Sequence, residues 1–119
     1  MRLPLLAAAA LCALFTAPAV AQTQPGTCNS ACLSGLAGGF MAAMTKADPV
    51  GLPWADRVLY AENSTPVRIG ESSWVTIKKF DDQPLVVTDS HTGRVVWFGM
   101  IEDHGQPGSY AMDMKVEDG

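Results

Sequence analysis

The sequence predicts an α+β domain: an N-terminal helix packed on a curved, cone-like antiparallel sheet. Three observations point there. Apolar residues recur at helical spacing between residues 30 and 46. Short alternating stretches separated by turn residues then fill the second half of the chain. The chain has 119 residues, of which 48% are hydrophobic, enough for one core and no more.

Ahead of the helix, the first residues read as an export signal. Arg2 gives a positive start, residues 3–15 are apolar but for Pro4, and Ala19 and Ala21 form an A-x-A cleavage site. The apolar run is shorter than the about 20 residues that a bilayer span requires. We expect cleavage after Ala21, a polar linker over 22–27, and a mature domain over 28–119 that is secreted or periplasmic, with no stable membrane span. Cleavage leaves 98 residues with all 12 acidic side chains and 7 of the 8 basic ones, a formal charge of −5. That balance argues against nucleic acid, because phosphate binding needs a clustered basic face.

Cys28 and Cys32 remain after Cys12 leaves with the signal. Two thiols in an oxidising compartment suggest a disulfide. Side chains four apart in a regular helix stand near the limit of disulfide reach, so the bridge needs Cys28 just before the helix start.

The helix itself is carried by Leu33, Leu36, Phe40, Met41 and Met44. Asn29 or Ser30 can cap it, and Asp48-Pro49 ends it. Gly35, Gly38 and Gly39 weaken it and are expected to let it lie close against the sheet. Residues 57–62 alternate and predict a strand, closed by a turn at 63–66. Residues 70–74 read as a loop or one helical turn. Strands are expected at 75–80, 84–88, 94–102 and 109–116, with turns at 90–93 and 104–108. On the last strand Tyr110, Met112, Met114 and Val116 share one side. On 94–102, Val95, Trp97 and Ile101 point one way and Val96, Phe98 and Met100 the other. Both faces are apolar, so both should be covered, by a second layer, a bound apolar ligand or a partner subunit. Glu117-Asp118-Gly119 looks like a hairpin turn that calls for a further strand.

The order of elements resembles the nuclear-transport-factor-2-like (SnoaL-like) cone fold. Within it, the chain resembles an exported, largely uncharacterised family of bacterial and fungal proteins. The resemblance rests on Cys28-Asn29-Ser30-Ala31-Cys32-Leu33, Leu52-Pro53, Tyr60-Ala61-Glu62-Asn63, Gly70, Trp74, Thr92-Gly93-Arg94-Val95, Phe98-Gly99 and Lys115-Val116-Glu117-Asp118-Gly119. It implies a homodimer and an apolar pocket between sheet and helix. It also implies a strand beyond Gly119, so the sheet would lack its last strand here.

Several residues are candidates for chemistry. Tyr60 and Glu62 share a strand face, with Glu62 as a base raised in pKa by apolar neighbours and Tyr60 as proton donor. Asp113 is the second candidate base. Trp54, Trp74, Trp97 and Phe98 could line a site for a small apolar molecule, though core packing explains each tryptophan as well. Asp103-His104 and His91 sit in expected turns and read as solvated. Asn63-Ser64-Thr65 fits the N-glycosylation pattern. No cofactor or metal site is expected: phosphate loops, G-x-S-x-G and H-E-x-x-H are absent from the sequence, and no Cys or His accompanies Met112 and Met114. The leading expectation is an exported small-molecule-binding domain. Its alternatives are an isomerase, cyclase or hydrolase using a pocket carboxylate, and an assembly or dimerisation domain.

Overall fold

The computed structural model describes residues 28–117. The expected signal (1–21), the linker (22–27) and the Asp118-Gly119 end of the last turn lie outside the described residues.

Helix α1, Ser30–Thr45, forms where the apolar spacing places it. Asn29 caps it, its side chain accepting a hydrogen bond from the backbone N–H of Cys32 at 3.0 Å. Cys28 stands just before the cap and is disulfide-bonded to Cys32, with Cα atoms 5.3 Å apart. The bend at the helix start thus brings closer two side chains that a continuous helix would hold near the limit of disulfide reach. Leu33, Ala37, Phe40, Met41 and Met44 make the buried face. The three glycines do not face the sheet: a Cβ added at Gly35, Gly38 or Gly39 would meet nothing within 4 Å. The expected close approach at those positions is therefore corrected.

The strand expected over residues 57–62 shrinks to β1, Ala61–Glu62, which pairs with β2, Thr65–Pro66. The physical reason is a missing neighbour: Pro66 has no N–H, and one further bond, Val67 N–H to Tyr60 O at 3.2 Å, ends the pairing. Leu59 is left 91% exposed. Residues Asn63 and Ser64 make the turn with φ of 48° and 65°, the mirror-image geometry that suits a two-residue hairpin. The ambiguous stretch that follows closes as one helical turn, α2, Ser73–Thr76, which buries Trp74 completely.

The main sheet is a three-row meander. β5, Arg94–Asp103, is its centre. One edge of β5 pairs along its whole length with β6, Gln106–Lys115. The other edge pairs with two strands laid end to end: β3, Ile77–Phe80, beside residues 101–103, and β4, Leu85–Asp89, beside residues 94–98. Asp81 N–H bonds Met100 O at 2.8 Å in the gap between them. β6 begins three residues before the sequence suggests, because His104 and Gly105, with φ of 51° and 74°, complete the turn alone.

Helix α1 packs across β3, β4 and β5 on the inner face. There Trp74, Ile77, Val95 and Trp97 are at most 1% exposed. Burying such side chains is the main stabilising term, about 1.5–3 kcal/mol each. Gly93 closes the β4–β5 turn with φ +71°, and a Cβ there would sit on the backbone oxygen of Val116. Gly93→Ala is expected to destabilise the fold by about 1–2 kcal/mol, read as a lower denaturation midpoint with unchanged slope.

Candidate functional site

The structure brings Tyr60 and Glu62 together but ties both up. The Tyr60 hydroxyl donates to Glu62 Oε1 at 2.6 Å. The Ser72 and Ser73 hydroxyls donate to Oε2 at 2.6 and 2.9 Å. The Ser73 backbone N–H points at the same carboxylate, at 3.3 and 3.4 Å from its two oxygens. The carboxylate thereby caps the one-turn helix α2. Partial burial acts to raise the Glu62 pKa, but the bonds from Ser72, Tyr60 and Ser73 outweigh it and hold the group below its ordinary value. That is opposite in direction to the raised base expected from sequence. Tyr60 moves the other way: burial first, then its bond to Glu62, pushes its phenol well above the usual range. A phenol so held is a poor proton donor near neutrality. Ser72, with φ 55° and ψ −117°, carries local backbone strain beside the carboxylate.

Of the aromatic candidates, two meet. Trp54 and Trp74 lie 6.3 Å apart between ring centroids, and Phe40 stands edge-on to each, at 6.1 and 5.2 Å. They fill the space between α1 and α2. Trp54 Nε1 donates to Pro49 O at 2.7 Å; the Trp74 indole N–H is buried without a partner in hydrogen-bonding position. Trp97 lies under the sheet against Phe80 and Tyr110. Phe98, its chain neighbour, points out of the opposite face and is 48% exposed. The four side chains therefore do not line one cavity.

Asp113 lies on that outer face too. Arg94 spans its two oxygens, Nε to Oδ1 at 3.3 Å and Nη2 to Oδ2 at 3.0 Å. Asp103 and His104 share a turn, with His104 Nδ1 2.9 Å from Asp103 Oδ1. The Thr76 hydroxyl, and after it His104, hold the Asp103 carboxyl below its usual range. His91 caps nothing with its ring; its backbone N–H bonds Asp89 Oδ1 at 2.9 Å in the β4–β5 turn. Asn63 is exposed at the tip of the β1–β2 turn. Among the described residues, no group of three or more His, Cys, Asp or Glu side chains comes together as metal ligands would. Nor is any described helix long and apolar enough to cross a membrane.

What the fold does assemble is the outer face of the sheet. The pairing register sets Leu85 beside Phe98 and Val87 beside Val96, with Ala111 on the other flank of Phe98 and Met100 next along β5. Leu85, Val87, Val96, Phe98 and Met100 are each 40–63% exposed. Lys79, Met100, Glu102 and Pro107 continue this face as a shallow groove towards the far end of β5. The sequence flags Val96, Phe98 and Met100 through the two-sided apolarity of their strand. It also carries, less visibly, the signal for Leu85 and Val87, which alternate along β4. Ser72 and Ser73, the partners of Glu62, have no sequence signal beyond lying at a helix start.

Comparison with protein families, with characterised proteins and with solved structures finds no match for this chain.

Proposed function

We propose that this is an exported assembly domain, which works by burying the outer face of its sheet against another protein. One observation carries the reading: five large apolar side chains stand contiguous and exposed on one face of the sheet. Isolated exposed hydrophobics are ordinary, but a contiguous patch marks an interaction surface. The Cys28–Cys32 disulfide supports the export half of the proposal, since such bonds persist in oxidising compartments. The helix-on-antiparallel-sheet architecture is of the same broad α+β class as the SnoaL-like cone folds that the sequence resembles. The apolar-ligand and carboxylate-enzyme alternatives draw no comparable support: Trp74 and Trp97 are spent on the core, and Glu62 is committed to α2.

The test is accessibility in the native setting. Ala111 is small, exposed and central on the face, and His91 is exposed at a turn off it. In the exported fraction of the source cell, Ala111→Cys is expected to react with a maleimide much more slowly than His91→Cys. Equal rates would mean that nothing covers the face, and the proposal would fall.

A further inference from the structure

We propose that Met100 is a site of oxidative modification, at which a peroxide converts the thioether to a sulfoxide and so releases the partner from the outer face. This inference rests on the assembly reading above and names how that face is regulated. Five of the six methionines lie among the described residues. Met41 and Met44, on the buried face of α1, are 0% exposed; Met112 is 8% exposed and Met114 half-buried. Met100 is 53% exposed. The described methionine that a dissolved oxidant reaches most freely is therefore also a member of the apolar patch.

The sheet itself creates that exposure. Val96, Phe98 and Met100 point outward in alternation along β5. Phe98 has Leu85 on one flank and Ala111 on the other. Met100 has Ser109 on one flank only. Its other flank is the break between β3 and β4, where Asp81 N–H bonds the Met100 carbonyl at 2.8 Å and residues 81–84 belong to no strand. The shallow groove that opens there is lined by Met100 with Phe80, Asp81 and Pro107. An unbranched, flexible side chain in an open groove presents its sulfur to solvent.

The step is a two-electron oxidation. A lone pair of the Met100 sulfur attacks one oxygen of hydrogen peroxide. The S–O bond forms as the O–O bond breaks, and the second oxygen leaves as water after proton transfer. Sulfur loses two electrons and the peroxide gains them. An oxidising compartment, in which the Cys28–Cys32 bond persists, is where such an oxidant acts. The product is polar where the thioether was not. On the free chain, water solvates the sulfoxide oxygen. Under a partner that water is lost, and a buried acceptor without a donor opposes association. The patch also contracts from five large apolar side chains to four. The expected weakening of association is roughly tenfold or more.

Dilute hydrogen peroxide is the probe. On the purified chain, peptide mass spectrometry is expected to find the sulfoxide first at Met100, roughly tenfold or more faster than at Met41, Met44 or Met112. Oxidation of Met100 no faster than of Met112 would overturn the site. In the exported fraction, the native chain should sediment as a complex before treatment and as a monomer once Met100 is oxidised. Whatever complex Met100→Leu forms should be unmoved by peroxide, because leucine has no sulfur. Met100→Gln, which carries a polar oxygen without oxidation, should leave Ala111→Cys open to maleimide with no peroxide present. Circular dichroism checks that this variant keeps the fold. A chain that stays in its complex with Met100 oxidised, or a Met100 that the partner shields from peroxide throughout, would overturn the regulation and leave the assembly reading standing. A native chain that is monomeric before treatment, with Ala111→Cys unprotected, would overturn both.

Discussion

Alanine at Gly35, Gly38 and Gly39 together is expected to raise the stability of the fold by about 2–3 kcal/mol. Glycine inside a helix surrenders more backbone freedom on folding than alanine does, at about 0.8–1 kcal/mol per residue. The gain is realised only where a methyl group has room. All three positions provide it, since an added Cβ meets nothing within 4 Å. All three also lie inside α1, Ser30–Thr45, away from its capped start and its last turn. For a domain of this size each kcal/mol shifts the melting midpoint by about 4–8 °C, so the triple variant should melt roughly 10–20 °C higher. Thermal denaturation followed at 222 nm, a wavelength that reports helix, checks this. An unchanged or lower midpoint would show that the glycine face is occupied in solution, or that the helix backbone there departs from the regular form. The single variants separate these outcomes, because a contact at one glycine would cancel the gain at that position only.

Much of the fold is legible in the sequence because strong, local signals govern it. The spacing of Leu33, Phe40, Met41 and Met44 specifies α1, and alternation specifies β4, β5 and β6. The disulfide follows from two thiols and a cap residue between them. The misread elements are those whose fate depends on a distant neighbour. Residues 57–60 alternate as a strand does, yet no strand lies beside them among the described residues, and alternation without a partner yields no ladder. The glycines of α1 read as close-approach positions, although helical phase alone does not say which side of the helix meets the sheet. At the site, sequence pairs Tyr60 with Glu62 correctly. It cannot show Ser72 and Ser73 closing on the same carboxylate from ten and eleven residues away, and those bonds reverse the direction of the pKa shift. The outer face is legible in half: Val96, Phe98 and Met100 stand out in one strand, but the charges that border them come into line only through the pairing of β3, β4 and β6 with β5.

Glu62→Ala is expected to cost about 3 kcal/mol, with Glu62→Gln costing about 1 kcal/mol. The reason lies in what the carboxylate holds. It accepts from Tyr60 on its own hairpin and from Ser72 and Ser73 at the start of α2. It thus fastens the β1–β2 hairpin to the turn that sets Trp74 into the core against Phe40. Alanine leaves the partly buried Tyr60 and Ser73 donors without an acceptor, which costs more than the bonds themselves contribute. It also removes the partner that keeps Ser72 at φ 55° and ψ −117°, so α2 loses its start as well as its cap. Glutamine keeps the shape and one acceptor oxygen, but not the charge. The pH dependence follows from the direction of the shift. Glu62 is held below its unfolded pKa, so its contribution is complete above about pH 5 and fades as pH falls through the folded value. Denaturant midpoints of the native chain and Glu62→Gln should therefore differ at about pH 7 and draw together as pH falls through the folded value. A gap that stays constant across that range would mean that the charge of Glu62 adds nothing to the fold, and would reopen the carboxylate for chemistry.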